Sequence, residues 1–226
     1  MRINRYVALA KGIGRRQADK LIADGLVKIN DSAAGLSHQV EDTDKVTLNG
    51  ELLNLPVRKT TVILNKPTGY VVSRKGQGSE TIYTLLPKEY KNLNPIGRLD
   101  KDSSGLLILS NDGQLVFELS HPSFKKKKIY EVILDKPLKE SDIQKLGIGV
   151  KVENYISKLS VQKLSENKII VSMSEGRNRQ IRRTLLALGY LVTGLNRTNF
   201  GEFSLGNLKP GEYQEVSIAP SSDRIN

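Results

Sequence analysis

Residues 95–109 read PIGRLDKDSSGLLIL: a Gly-Arg-Leu turn, two acidic residues at Asp100 and Asp102, then Gly-Leu-Leu-Ile-Leu without a polar interruption. A short apolar run bounded by turn residues reads as a buried strand. Asp100 then stands at a strand end beside the core, where desolvation opposes its charge. A carboxylate left there unpaired would protonate, so a cation is required nearby.

The candidate cations lie in EGRNRQIRRTLLALG, residues 175–189. Ile181, Leu185 and Leu188 form an inward stripe on a helix closed by Gly189, while Arg179, Arg182 and Arg183 bunch on another face. Like charges that close repel by a few tenths of a kcal/mol per pair, so a carboxylate or phosphate should face them. An ion pair between Asp100 and one of these arginines answers both needs. In KKKKIYEVILD, residues 125–135, alternation puts Tyr130, Val132 and Leu134 on one sheet face. The Tyr130 ring either packs in the core or stacks on a flat base. LNKPTG, residues 64–69, is a turn after a further apolar strand.

Around these segments the pattern is β-rich: TVILNK, YVVS, GLLILS, KIYEVILD, SKLSVQKL and KIIVSMS, with helical periodicity at GQLVFELS, KESDIQKLG and RNRQIRRTLLALG. This predicts an α+β domain with a central mixed, largely antiparallel sheet flanked by helices. Upstream, residues 4–24 read as two short helices parted at Gly12 and Gly14. The strand LVKIN follows, and VTLNGELL carries the Asn49-Gly50 hairpin signal. Pro56 interrupts the pattern, which divides the chain into residues 1–57 and 58–226.

Lys and Arg number 35 against 24 Asp and Glu, a net charge of +11 that favours a polyanionic partner such as nucleic acid. Without Cys and with two His, a disulfide framework, a zinc cluster and a cysteine nucleophile are excluded. No run approaches the roughly 18 apolar residues of a membrane span, and no secretory signal opens the chain, so a cytoplasmic protein is expected. Arg2, Arg5, Lys11, Arg15, Arg16 and Lys20 form a basic surface suited to following a phosphate backbone.

The stretch at residues 2–30 resembles the S-four RNA-binding domain, a small helical and β module, and the similarity covers about the first 50 residues. From about Thr61 to Val216 the chain resembles RNA pseudouridine synthases, specifically the RsuA-like ribosomal group. LNKPTG is similar to the first motif of that family, GRLDKDSSGLLIL to its catalytic motif, KIYEV to its tyrosine motif, and EGRNRQIRR with LKPGEY to its C-terminal signature.

The resemblance implies Asp100 as the catalytic aspartate, Tyr130 as the aromatic against the target base and Arg182 as the partner of Asp100. Arg98 would lie along the RNA or fill the gap left by the base. Lys66 and Pro67 would shape the pocket floor, and Ile181 would wall the base. Arg179 and Arg183 join the RNA-binding set, while Asp102 matches a variable position, expected to be solvated or to cap a turn.

The implied reaction flips a uridine out of its stack and isomerises it without metal or cofactor. Whether the aspartate acts as nucleophile or base stays open. The implied partner is ribosomal RNA or a ribosome-assembly intermediate, met by a monomer. A nucleosidase with paired carboxylates and a non-catalytic ribosome-assembly protein are the rival readings.

Overall fold

A computed structural model describes residues 1–55 and 58–218. Pro56 and Val57, the expected boundary, lie outside the described residues.

The N-terminal part begins with α1 (Ile3–Lys11) and α2 (Arg15–Ala23). Gly12 ends α1 at φ +64°, returning its N–H to the Ala8 carbonyl. Then come β1 (Val27–Ile29), β2 (Ser32–Ala33), β3 (Val46–Leu48) and β4 (Glu51–Leu52). They form an antiparallel sheet in the order β2-β1-β3-β4. Asn49 and Gly50 take φ of 50° and 83°, the two left-handed residues of a tight hairpin turn. Ile3, Val7, Ile22, Val27, Val46 and Leu53 pack in a cluster of their own, small because most of its members are short aliphatics.

The rest of the chain runs β5 (Thr61–Lys66), β6 (Asn94–Ile96), β7 (Ser104–Ser110), α3 (Gly113–Ser120) and β8 (Lys128–Leu134). It continues through α4 (Glu140–Ile148), β9 (Val150–Val152), β10 (Tyr155–Ser157), β11 (Ser160–Lys163) and β12 (Lys168–Met173). It closes with α5 (Gln180–Ala187), β13 (Val192–Phe200), β14 (Phe203–Ser204) and β15 (Tyr213–Glu215). The main sheet has the order β11-β12-β8-β13-β7-β5-β15, with β14 on β13 and β6 on β7. Its strand pairs are antiparallel except β13 with β7, so the mixed, largely antiparallel sheet is as expected.

β7 shows why its sequence does not alternate. Leu107 and Leu109 join one apolar cluster with Val62, Leu64, Val132 and Ile181, while Leu106 and Ile108 join another with Ile63, Leu115, Leu119 and Phe200. Both faces of the strand are covered, and its four residues Leu106–Leu109 are fully buried. Each contributes about 2 kcal/mol of burial. β8 follows the alternation expected of it, with Tyr130, Val132 and Leu134 buried and Ile133 exposed.

Two expectations fail. YVVS forms no strand and makes only a single bridge, Val71 to Thr81, because the chain bends from Val72 onward. Conversely β13, absent from the sequence reading, fills the middle of the sheet. Gly194, Asn196 and Asn199 dilute its strand signal, and two register shifts break its alternation.

Candidate active site

β13 joins the pieces of the site. Its Arg197 pairs with Tyr130 of β8 on one side and with Gly105 of β7 on the other. Gly105 takes φ +102°, and a Cβ there would fall onto the Arg197 backbone. The glycine of the Ser-Gly-Leu run is thus required twice, by conformation and by space.

The loop before β7 carries Asp100. Beneath it Lys66, fully buried, donates through Nζ to the carbonyls of Pro67 at 2.9 Å, Asp100 at 3.1 Å and Ser103 at 2.7 Å. Burial pushes the Lys66 ammonium from 10.5 down to about 8, with the charges of Asp100 and Asp102 opposing that fall. Lys66 therefore anchors the loop from below instead of forming the pocket floor, because three carbonyls hold its head away from the cavity.

Asp100 is half-exposed, less desolvated than its place beside the core suggested. Its Oδ2 lies 3.3 Å from Arg179 Nη1. Arg179 also clasps Asp102 with both terminal nitrogens, each at 2.9 Å. Arg182, expected opposite Asp100, instead donates to the main-chain carbonyls of Asp102 at 2.9 Å and Val192 at 2.8 Å. Its Nε sits 3.3 Å from Asp102 Oδ2. The reason is reach: Arg179 caps α5 in the left-handed region at φ 49°, which turns its side chain toward Asp100. Its neighbours fix that start, since Gln180 bonds Ser157 and accepts from the Arg177 N–H, and Thr184 bonds Ser157. Asp102 is half-exposed in the turn before β7, as expected, and is in addition an ion-pair hub. The hydrogen bonds from Arg179 hold its carboxyl below the usual carboxylate range.

Above this loop opens a cavity of about 1060 Å³, lined by Asp100, Tyr130, Ile181, Arg98, Arg179 and Arg177 among others. Tyr130 and Ile181 are nearly covered, while Arg98 is exposed at the rim. Pro67 and Arg183 are not among the lining residues; Arg183 pairs with Glu153 on the β9–β10 turn. The basic residues Arg2, Arg5, Lys11, Arg15, Arg16 and Lys20 are all exposed. Lys11 lies 3.9 Å from Glu51, and the Arg5 guanidinium lies beside Gly113 at the start of α3.

Asp100, held by Arg179, and the buried Tyr130 thus line one cavity beside the mixed sheet. A family profile described as RNA pseudouridylate synthase matches residues 60–187. The chain belongs to the RNA pseudouridylate synthase family. An uncharacterized RNA pseudouridine synthase of Aquifex aeolicus is 33% identical over 226 residues, covering 96% of this chain and 90% of that one. A dual-specificity RNA pseudouridine synthase RluF of Salmonella typhi is 35% identical over 219 residues, covering 96% and 75%. A solved pseudouridylate synthase superposes with a TM-score of 0.71 at 31% identity, covering 96% of each chain.

The chain is thus an enzyme, an RNA pseudouridine synthase. Its cavity also contains residues the sequence reading missed: Lys128, Arg197 and Phe200. KKKK was a visible signal for Lys128, but Arg197 and Phe200 went with the unrecognised β13. Among the described residues no cluster of His, Asp or Glu is built to hold a metal, and no helix is long and apolar enough to cross a membrane.

Proposed function

We propose that this synthase converts a specific uridine of ribosomal RNA to pseudouridine, with residues 1–57 acting as an S-four-type RNA-binding domain and residues 58–226 as the catalytic domain. The separate apolar cluster of the N-terminal part and its exposed basic residues support that division. The likeness of the motif set to the RsuA-like ribosomal group supports the choice of RNA.

In this reading the uridine is flipped into the cavity and stacks on Tyr130, with Ile181 walling it and Arg98 following the RNA at the rim. Asp100 meets the nucleotide at its ribose or base. The bond from the uracil nitrogen to the ribose breaks, the base turns, and a bond to carbon five forms as the hydrogen there leaves to solvent and the freed nitrogen takes up a proton. Arg179 serves as the counter-charge of Asp100, and Arg182 acts one step behind it by holding Asp102 and the loop backbone. Arg179 remains protonated throughout, so it orients the carboxylate without competing for a proton.

The observation that carries the proposal is that Asp100 and Tyr130 line one cavity with Arg179 on the carboxylate. Asp100→Asn should fold as wild type does and release no tritium from RNA labelled at uracil carbon five. Release at the wild-type rate would overturn the assignment.

A further inference from the structure

The catalytic reading leaves one group of cavity-wall residues unexplained. Arg197 is only 2% exposed; its Nε donates to the Leu106 carbonyl at 2.8 Å, and its buried Nη2 has no hydrogen-bond partner. Its guanidinium carbon lies 5.0 Å from the centre of the Phe200 ring. Lys128 Nζ lies 4.9 Å from the same ring, so two cations share one aromatic. Among the described residues neither forms an ion pair with a carboxylate. Among the described residues, the one hydrogen bond Lys128 donates from Nζ is long, 3.5 Å to the Ser174 carbonyl.

Two like charges held against a single ring, one with an unused donor, are poorly compensated within the protein. The ring face offsets part of the cost, and an anion would offset the rest. Burial, helped by the charge of Arg197, lowers the affinity of Lys128 for its proton, as expected of a cation waiting for a counter-charge. The place is informative. Arg197 is paired to Tyr130 and Gly105 in the sheet, and Lys125 and Lys126 line the same cavity outward from Lys128.

We propose that Lys128 and Arg197, stacked on Phe200, form a seat for a phosphate group of the flipped nucleotide, with the strand leaving over Lys126 and Lys125. This rests on the reading of the cavity as the uridine site. Lys128 makes the contact with the phosphate oxygen, and Arg197 supplies positive potential from behind it. The seat fixes the backbone while the base turns, which an isomerisation with a transiently detached base requires.

The test uses the full chain and two measurements. In the first, Lys128→Gln should raise KM for RNA about tenfold and make the salt dependence of kcat/KM shallower by roughly 0.7 to 1 in log–log slope. Lys128→Arg should restore both. In the second, binding of uridine, uridine 5′-monophosphate and uridine 3′-monophosphate is compared by calorimetry. One monophosphate should bind wild type better than uridine, and that advantage should vanish in Lys128→Gln. Equal binding of nucleoside and monophosphates to wild type, or an advantage that survives the substitution, overturns the seat. The binding comparison does not depend on turnover, so an active Asp100→Asn would remove the catalytic assignment while this measurement still decides the phosphate seat.

Discussion

Alanine at Gly105 should damage both fold and catalysis. At φ +102° a residue with a Cβ is strained by about 1–3 kcal/mol. The added methyl also falls onto the backbone of Arg197, and moving β13 away costs about 1–3 kcal/mol more. Together these reach about 4 kcal/mol. For a chain of this size that lowers the melting temperature by roughly 8–16 °C. The displacement occurs where β13 joins the strand that follows the Asp100 loop, and a shift of about 1 Å there is enough to reduce kcat roughly a hundredfold. Gly147 is the control: it lies in α4 with open space where a Cβ would go, so Gly147→Ala should stabilise by about 0.5–1 kcal/mol. Calorimetry and a tritium-release assay on both variants decide the matter. Gly105→Ala with an unchanged melting temperature and full activity would refute the packing of β13 against β7.

The buried ammonium of Lys66 predicts a pH signature. Its folded value of about 8 lies below the ordinary 10.5, so between those limits the unfolded chain holds more protons and stability rises with pH. Wild type should gain about 3 kcal/mol relative to Lys66→Met between pH 8 and 10.5 in denaturant titrations, and a flat difference would count against burial of the charge. Asp102→Asn should cost under about 1 kcal/mol of stability, since the pair with Arg179 is half-exposed, yet lower kcat several-fold by freeing Arg179 from its clasp. Asp102→Glu should recover part of that activity, and an unchanged kcat in Asp102→Asn would remove Asp102 from the positioning of the site.

Much of this was legible in the residues because local signals agreed with the final fold. Asn49-Gly50 made its hairpin, the Ile181–Leu185 stripe its helix, and the alternation through Tyr130 its half-covered strand. What escaped was set by long-range geometry. Which arginine meets Asp100 depends on a left-handed cap at Arg179 that periodicity does not encode, and the helical wheel offered Arg179 and Arg182 on equal terms. Lys66 looked like a pocket residue because only tertiary structure shows its head turned under the loop. β13 hid because its polar and glycine residues are tolerated only by neighbours on both sides.

The place of β13 also governs how the molecule is made. Strands from residues 104–110 and 128–134 emerge from the ribosome long before residues 192–200, yet meet only through them. Until then β7 and β8 each carry an unpaired inner edge, open to wrong partners. The Asp100 and Tyr130 sides of the cavity are therefore joined through the sheet only once this late strand is in place.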